Sequence, residues 1–200
     1  MENFTNLPEE KQQKILEAAL KVFGTHTYKK ASVSDIAAEA GISKAMVFHY
    51  FGTKKDMYLY LVRFCSDLLL NEIKSNFDES VTDFFDRIIL ASDVKIAVMK
   101  QYAAIPAFLT NIYFEEDPAV RNDIKLILAE GEVYRNHIAF ENMDISKFKE
   151  DVDVKLVMKM LIWMAEGFAK EFSTNNYADL EARCQEYYRC MDILKANLYK

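Results

Sequence analysis

Five side chains with charged or hydrogen-bonding ends crowd into a short stretch: Ser43, Lys44, His49, Tyr50 and Lys54. They do not make a catalytic set. The chain has no Gly-rich phosphate loop, no nucleophile elbow and no HExxH, and nothing in the spacing groups a serine, histidine and acid. Ser43 and Lys44 instead open a short helical stretch just after Gly41. The start of a helix carries unsatisfied N–H groups and partial positive charge, which suit phosphate. His49 and Tyr50 offer donors further along, and Lys54 falls in the first turn of the next helix. With Ser34 and the small Ala45, these groups fit the backbone and groove edges of double-stranded DNA.

The elements that must hold them are legible around the motif Ser32 to Phe51, SVSDIAAEAGISKAMVFHYF. Two short helices have to cross closely with a tight turn between them. Ala37 is small where they would touch, and Gly41 supplies the positive φ of the turn. Ile36, Ala40, Ile42 and Val47 are apolar where the pair would pack on a third helix. Ser32 or Ser34 caps the first of the pair, Ser43 the second, which runs to about Tyr50. Thr53 caps a long helix from Lys54 to about Asn76. Upstream, Pro8 suits a first helical turn with Glu9 and Glu10 at its positive end. Ile15, Leu16, Ala19, Val22 and Phe23 form an apolar stripe, and Gly24 is expected to stop that helix.

Net charge is −6, which by itself argues against a nucleic-acid partner, but the charge is unevenly spread. Residues 11–60 carry eight lysines against four acids, whereas residues 61–200 hold 17 bases and 24 acids. Phosphate attraction acts within a Debye length of roughly 8 Å, so an acidic body does not cancel a basic module. The N-terminus is too polar for a signal peptide. The most apolar run, near 157–165, falls well short of the roughly 20 residues a membrane helix needs, so a cytoplasmic chain without a membrane partner is expected. The three cysteines, Cys65, Cys184 and Cys190, match no zinc or redox spacing. With only 5 Gly and 3 Pro, the remainder reads as helices near 80–91, 93–114, 117–140, 146–173 and 177–198. A break is expected near Ser92 and another at 173–176, and Pro106 should kink or divide its helix. The fold class is all-α, with roughly nine helices.

The segments KILEAALKVF (Lys14–Phe23) and ASVSDIAAEAGISKAMVFHYFGTKKDMYLYLV (Ala31–Val62) resemble the TetR family of one-component regulators. The match spans about a quarter of the chain, with Phe48 where a Tyr is more usual and Ala45-Met46 at a commonly small or polar pair. The resemblance implies a three-helix helix-turn-helix DNA-binding domain over 8–62, with its motif at 32–51. It also implies a helical-bundle effector-binding and dimerisation domain over 63–200. The expected partners are a palindromic DNA operator, a second copy of the chain and a small-molecule effector that releases the operator.

Effector identity is not legible. Aromatic and Met content favours a partly apolar molecule, and the acidic body slightly favours a cation. Phe85, Ile88, Tyr102, Phe108, Tyr113, Tyr134, His137, Trp163, Met164 and Phe168 are candidate pocket-lining residues, with a filled core position as the more ordinary alternative for each. Glu130, Glu132 and His137 do not share a helical face, so neither a metal nor a cofactor is expected. Met158–Phe172 is apolar on more than one face, as a helix shared between a core and a dimer partner would be. The competing readings are a sensor or interaction module without operator binding and, further off, a small helical enzyme.

Overall fold

A computed structural model describes residues 2–172 and 180–200. Among these residues there are ten α-helices and a 3₁₀ turn at Ile145–Lys147. The helices are α1 (Glu2–Thr5), α2 (Glu9–Thr25), α3 (Val33–Ala40), α4 (Lys44–Phe51), α5 (Lys54–Asn76), α6 (Phe84–Gln101), α7 (Ile105–Tyr113), α8 (Arg121–Phe140), α9 (Val154–Phe172) and α10 (Leu180–Leu198). The chain forms two compact units, one of residues 1–71 with 98–131 and the other of 72–97 with 132–200.

The first unit is built around α2. Its inner face, Ile15, Ala18, Ala19, Leu20, Val22 and Phe23, is buried. It packs against Ile36, Ala37 and Ala40 of α3, Met57, Tyr58 and Leu61 of α5, and Phe108 and Ile112 of α7. Pro106 lies in the first turn of α7, where its missing N–H costs nothing, so the proline divides two helices as its position suggests. Gly24 does not stop α2, which continues to Thr25. A Cβ on Gly24 would stand 3.0 Å from the Ala107 Cβ and 3.1 Å from the Phe108 amide nitrogen. The glycine is there to let α7 approach. Asn111 seals the crossing by donating from Nδ2 to the Phe23 and Gly24 carbonyls, both at 2.9 Å.

The polar N-terminus also departs from expectation, since it holds the short helix α1. Phe4 is fully buried, 4.6 Å from the Phe51 ring and 5.6 Å from the Tyr60 ring. It closes the end of the core beneath α4.

In the second unit, Phe84, Phe85, Ile138, Ala139, Phe148, Val157, Leu161 and Met191 form the core. α6 runs unbroken through Ser92, contrary to the break expected there. The Ser92 hydroxyl donates back to the Ile88 carbonyl at 2.8 Å, which satisfies it inside the helix. α9 begins later than the sequence suggested, at Val154, where the Asp153 carboxylate accepts from the Lys155 and Leu156 amides. The break expected at 173–176 lies outside the described residues. Arg87, fully buried, ties the loop before α6 to α8 by donating to the Val81 and Ile138 carbonyls and to Glu79. No helix among the described residues is long and apolar enough to cross a membrane.

Candidate nucleic-acid interface

α3 and α4 owe their geometry to three caps. The Ser32 hydroxyl oxygen accepts from the Ser34 and Asp35 amides and starts α3. Gly41 ends it at φ 68°, a left-handed conformation that a side chain resists, and its N–H returns to the last turn. Ser43 then accepts from the Met46 amide at 3.2 Å and starts α4. The Lys14 ammonium lies against the Gly41 turn. A fourth cap aims α5: Thr53 accepts from the Asp56 amide at 3.1 Å, and the Asp56 carboxylate accepts from the Thr53 amide at 3.0 Å.

With its ends fixed, α4 divides cleanly into two faces. Val47, Tyr50 and Phe51 are buried, whereas Ser43, Lys44, Ala45, Phe48 and His49 face solvent. Ser34 is also exposed, on α3. Two expected contact residues sit differently. Tyr50 is only 5% exposed, its ring edge-on to Phe4, so it seats α4 rather than reaching outward. Lys54 is half-buried. Its ammonium stands 4.7 Å over the Tyr28 ring and donates to the Lys29 carbonyl at 3.3 Å, and burial pulls its pKa down. That bond places Lys54 beside exposed Lys29 and Lys30. The Tyr28 amide in turn donates to Glu115 at 2.7 Å, which fixes this loop.

Lys29, Lys30 and Phe48 were not picked out from sequence as site residues. The two lysines counted toward the basic balance but lacked a helical register to place them. Phe48 reads as an apolar residue within an apolar run, and only the burial of its neighbours shows that it points out, at 40% exposure. The resulting surface presents a hydroxyl, ammonium and imidazole groups, a methyl and an aromatic ring on one short helix, with two more lysines beside it. It can pair with phosphate through its cations and make apolar contact with base methyls through Ala45 and Phe48.

The ten pocket candidates are not gathered into one lining. Tyr102, Phe108 and Tyr113 belong to the first unit and the rest to the second. Phe108 packs between Phe23 and Tyr58, and Phe85 among Phe84, Phe148 and Tyr199; both are filled core positions. Ile88 is also buried, and Tyr102 and Met164 are half-buried beside the cores. Tyr113 and Trp163 are at the surface, 52% and 60% exposed. Phe168 rests on Tyr187. Tyr134 stacks on His137, whose ring nitrogens bond to Glu79 at 3.0 Å and to Glu141. Those carboxylates, the Glu79 hydrogen bond foremost, raise the His137 pKa. An open groove of about 410 Å³ in the first unit, between α5 and α8, is lined by Leu59, Tyr60, Arg63, Asp123, Leu126 and other residues, none of them expected from sequence.

The model of the family described as "Bacterial regulatory proteins, tetR family" matches residues 15–61, which hold α3, α4 and most of α2. The transcriptional repressor AcnR of Corynebacterium glutamicum is 22% identical over 84% of this chain and 84% of its own length. A TetR family regulator from Chloroflexus aurantiacus shares the fold over 100% of this chain and 98% of its own, with a TM-score of 0.74 and 23% identity. The Bacillus subtilis regulator FadR, solved in complex with stearoyl-CoA, does so over 94% and 99%, with a TM-score of 0.68 and 16% identity. The family match across α2–α4, the regulator that aligns along most of its length and the shared fold together support a TetR family transcriptional regulator.

Proposed function

We propose that the chain is a homodimeric, cytoplasmic repressor that grips a palindromic operator with α4 of each copy and releases it when a small, partly apolar molecule binds. The observation that carries the reading is the two-faced α4, anchored by Val47, Tyr50 and Phe51 and presenting Ser43, Lys44, Ala45, Phe48 and His49. Residues 8–62 serve as the DNA-binding domain, and residues 63–200 receive the effector and the second copy. α9 supports the dimer. Leu156, Met160 and Trp163 are 48%, 41% and 60% exposed at helical spacing, while Val157, Met158 and Leu161 are buried on the opposite side. An apolar stripe of this kind on a helix already holding a core is suited to a second copy. A fold relative solved with a CoA thioester supports an effector of mixed apolar and polar character.

Fluorescence anisotropy on duplex DNA from upstream of the protein's own gene tests this. The wild type is expected to bind with an affinity that falls steeply with salt. Lys44→Ala, on an exposed residue that supports no core, should weaken binding and lower the magnitude of the log–log salt slope by about 1 per subunit. Unchanged affinity and slope would remove Lys44 from the interface.

A further inference from the structure

α6 and α8 each carry an apolar stripe interrupted by one cation. On α6, Ile88, Ala91, Lys95 and Val98 follow helical spacing, and the three apolar members are 8%, 6% and 5% exposed. On α8, Lys95's counterpart is Arg135, which follows Ile124 and Leu128 and precedes Ile138 in the same register; Ile124 and Ile138 are 4% and 3% exposed. Both cations therefore occupy positions that the helical repeat turns inward. They belong to the second unit, whose core supplies half-buried Val94, Tyr134, Ile162 and Met164.

Neither charge is answered. The Arg135 Nε is buried with no hydrogen-bond partner, and no ion pair to Lys95 or Arg135 exists among the described residues. Burial, and then the nearby positive charge of Arg135, pull the Lys95 pKa down. Lys95 and Arg135 each keep part of their surface open, so a solute can reach them. Two half-buried like charges with no acid paired to either oppose folding, and a ligand that brings the counter-charge relieves that opposition.

We infer that Lys95 and Arg135 form the head-group subsite for an organic anion, a carboxylate or phosphate carried on an apolar body. A guanidinium presents paired donors to either head group, and the ammonium adds a point charge. The inference deepens the proposed function by naming the class of effector. It reverses the weak preference for a cation drawn from net charge, because surface charge does not report on a buried subsite.

The test is calorimetric titration of the full-length protein, without DNA, against dodecanoate, dodecyl phosphate and dodecanol. At least one anion should bind about tenfold or more tighter than the alcohol, and the tighter anion identifies the head group. Lys95→Met and Arg135→Met should lose that preference while the unliganded protein melts at the same temperature or higher, an uncompensated charge having gone. Lys95→Arg should retain it. Equal binding of alcohol and anions, binding of neither anion, or methionine variants that keep the preference would each overturn the assignment. The wild-type comparison of anion with alcohol holds even if a variant does not fold. Operator binding by the unliganded protein, measured alongside, separates the two proposals: its loss in the wild type speaks against the repressor reading and leaves the anion result standing.

Discussion

Asp83 shows how much one side chain can organise. It is 6% exposed and meets Lys147 at 2.9 Å, Lys195 at 3.1 Å, the Tyr199 hydroxyl at 3.1 Å and the Asp86 amide at 3.1 Å. Burial opposes its charge, but the hydrogen bonds from Lys147, the Asp86 amide and Lys195 outweigh it and hold the carboxyl at about 2. A carboxyl whose pKa is depressed by folding stabilises fully above its ordinary value of 3.8, and that contribution disappears as pH falls toward 2. Denaturant unfolding between pH 4 and pH 2 should therefore show a loss of stability that Asp83→Asn flattens, the variant being less stable at neutral pH. An equal slope in both proteins would contradict the network. None of this was legible in the sequence, because Asp83, Lys147 and Lys195 are far apart in the chain and carry no motif. Ser32, Gly41, Ser43 and Thr53 were legible for the opposite reason: each cap acts on residues two to four positions away. Phe4 was hidden because a lone apolar residue in a polar run has no period to betray it.

At the scale of elements, helix existence followed from periodicity, while helix ends depended on partners elsewhere in the chain. Gly24 reads locally as a stop signal, yet it is the point where α2 and α7 nearly touch. Gly24→Ala places a methyl against the Ala107 Cβ and the Phe108 backbone, so the helices must separate. The expected cost is about 1–3 kcal/mol, despite the better helix propensity of alanine. Urea denaturation checks it, and a variant as stable as the wild type would mean that the crossing yields freely. Ser92 is the converse case, a residue that looks like a break and is satisfied within its own helix. The short helix α4 was the most legible element of all, because capping, one glycine and alternating burial all act within a few residues. What its sequence did not disclose was that Tyr50 faces in and Phe48 faces out.

For the whole molecule, the basic charge over 11–60 and the exposed stripe on α9 are the two surfaces on which the proposed dimeric regulator would rely. Trp163→Asp puts a carboxylate into that stripe without touching the core beneath it. Light scattering after gel filtration should report a monomer with a helical spectrum like the wild type; a stable dimer would move the interface elsewhere. Since two symmetric copies would present two α4 helices, the proposed dimerisation and DNA recognition meet in one prediction. The measurement that tests it most directly is enrichment of bound duplexes from a random pool by the unliganded full-length protein. The expected product is a palindrome whose half-sites lie about one helical turn apart, or a multiple of it, lost when Lys44 and His49 are replaced by alanine. Enrichment of no sequence, or of a single site without dyad symmetry, would contradict it.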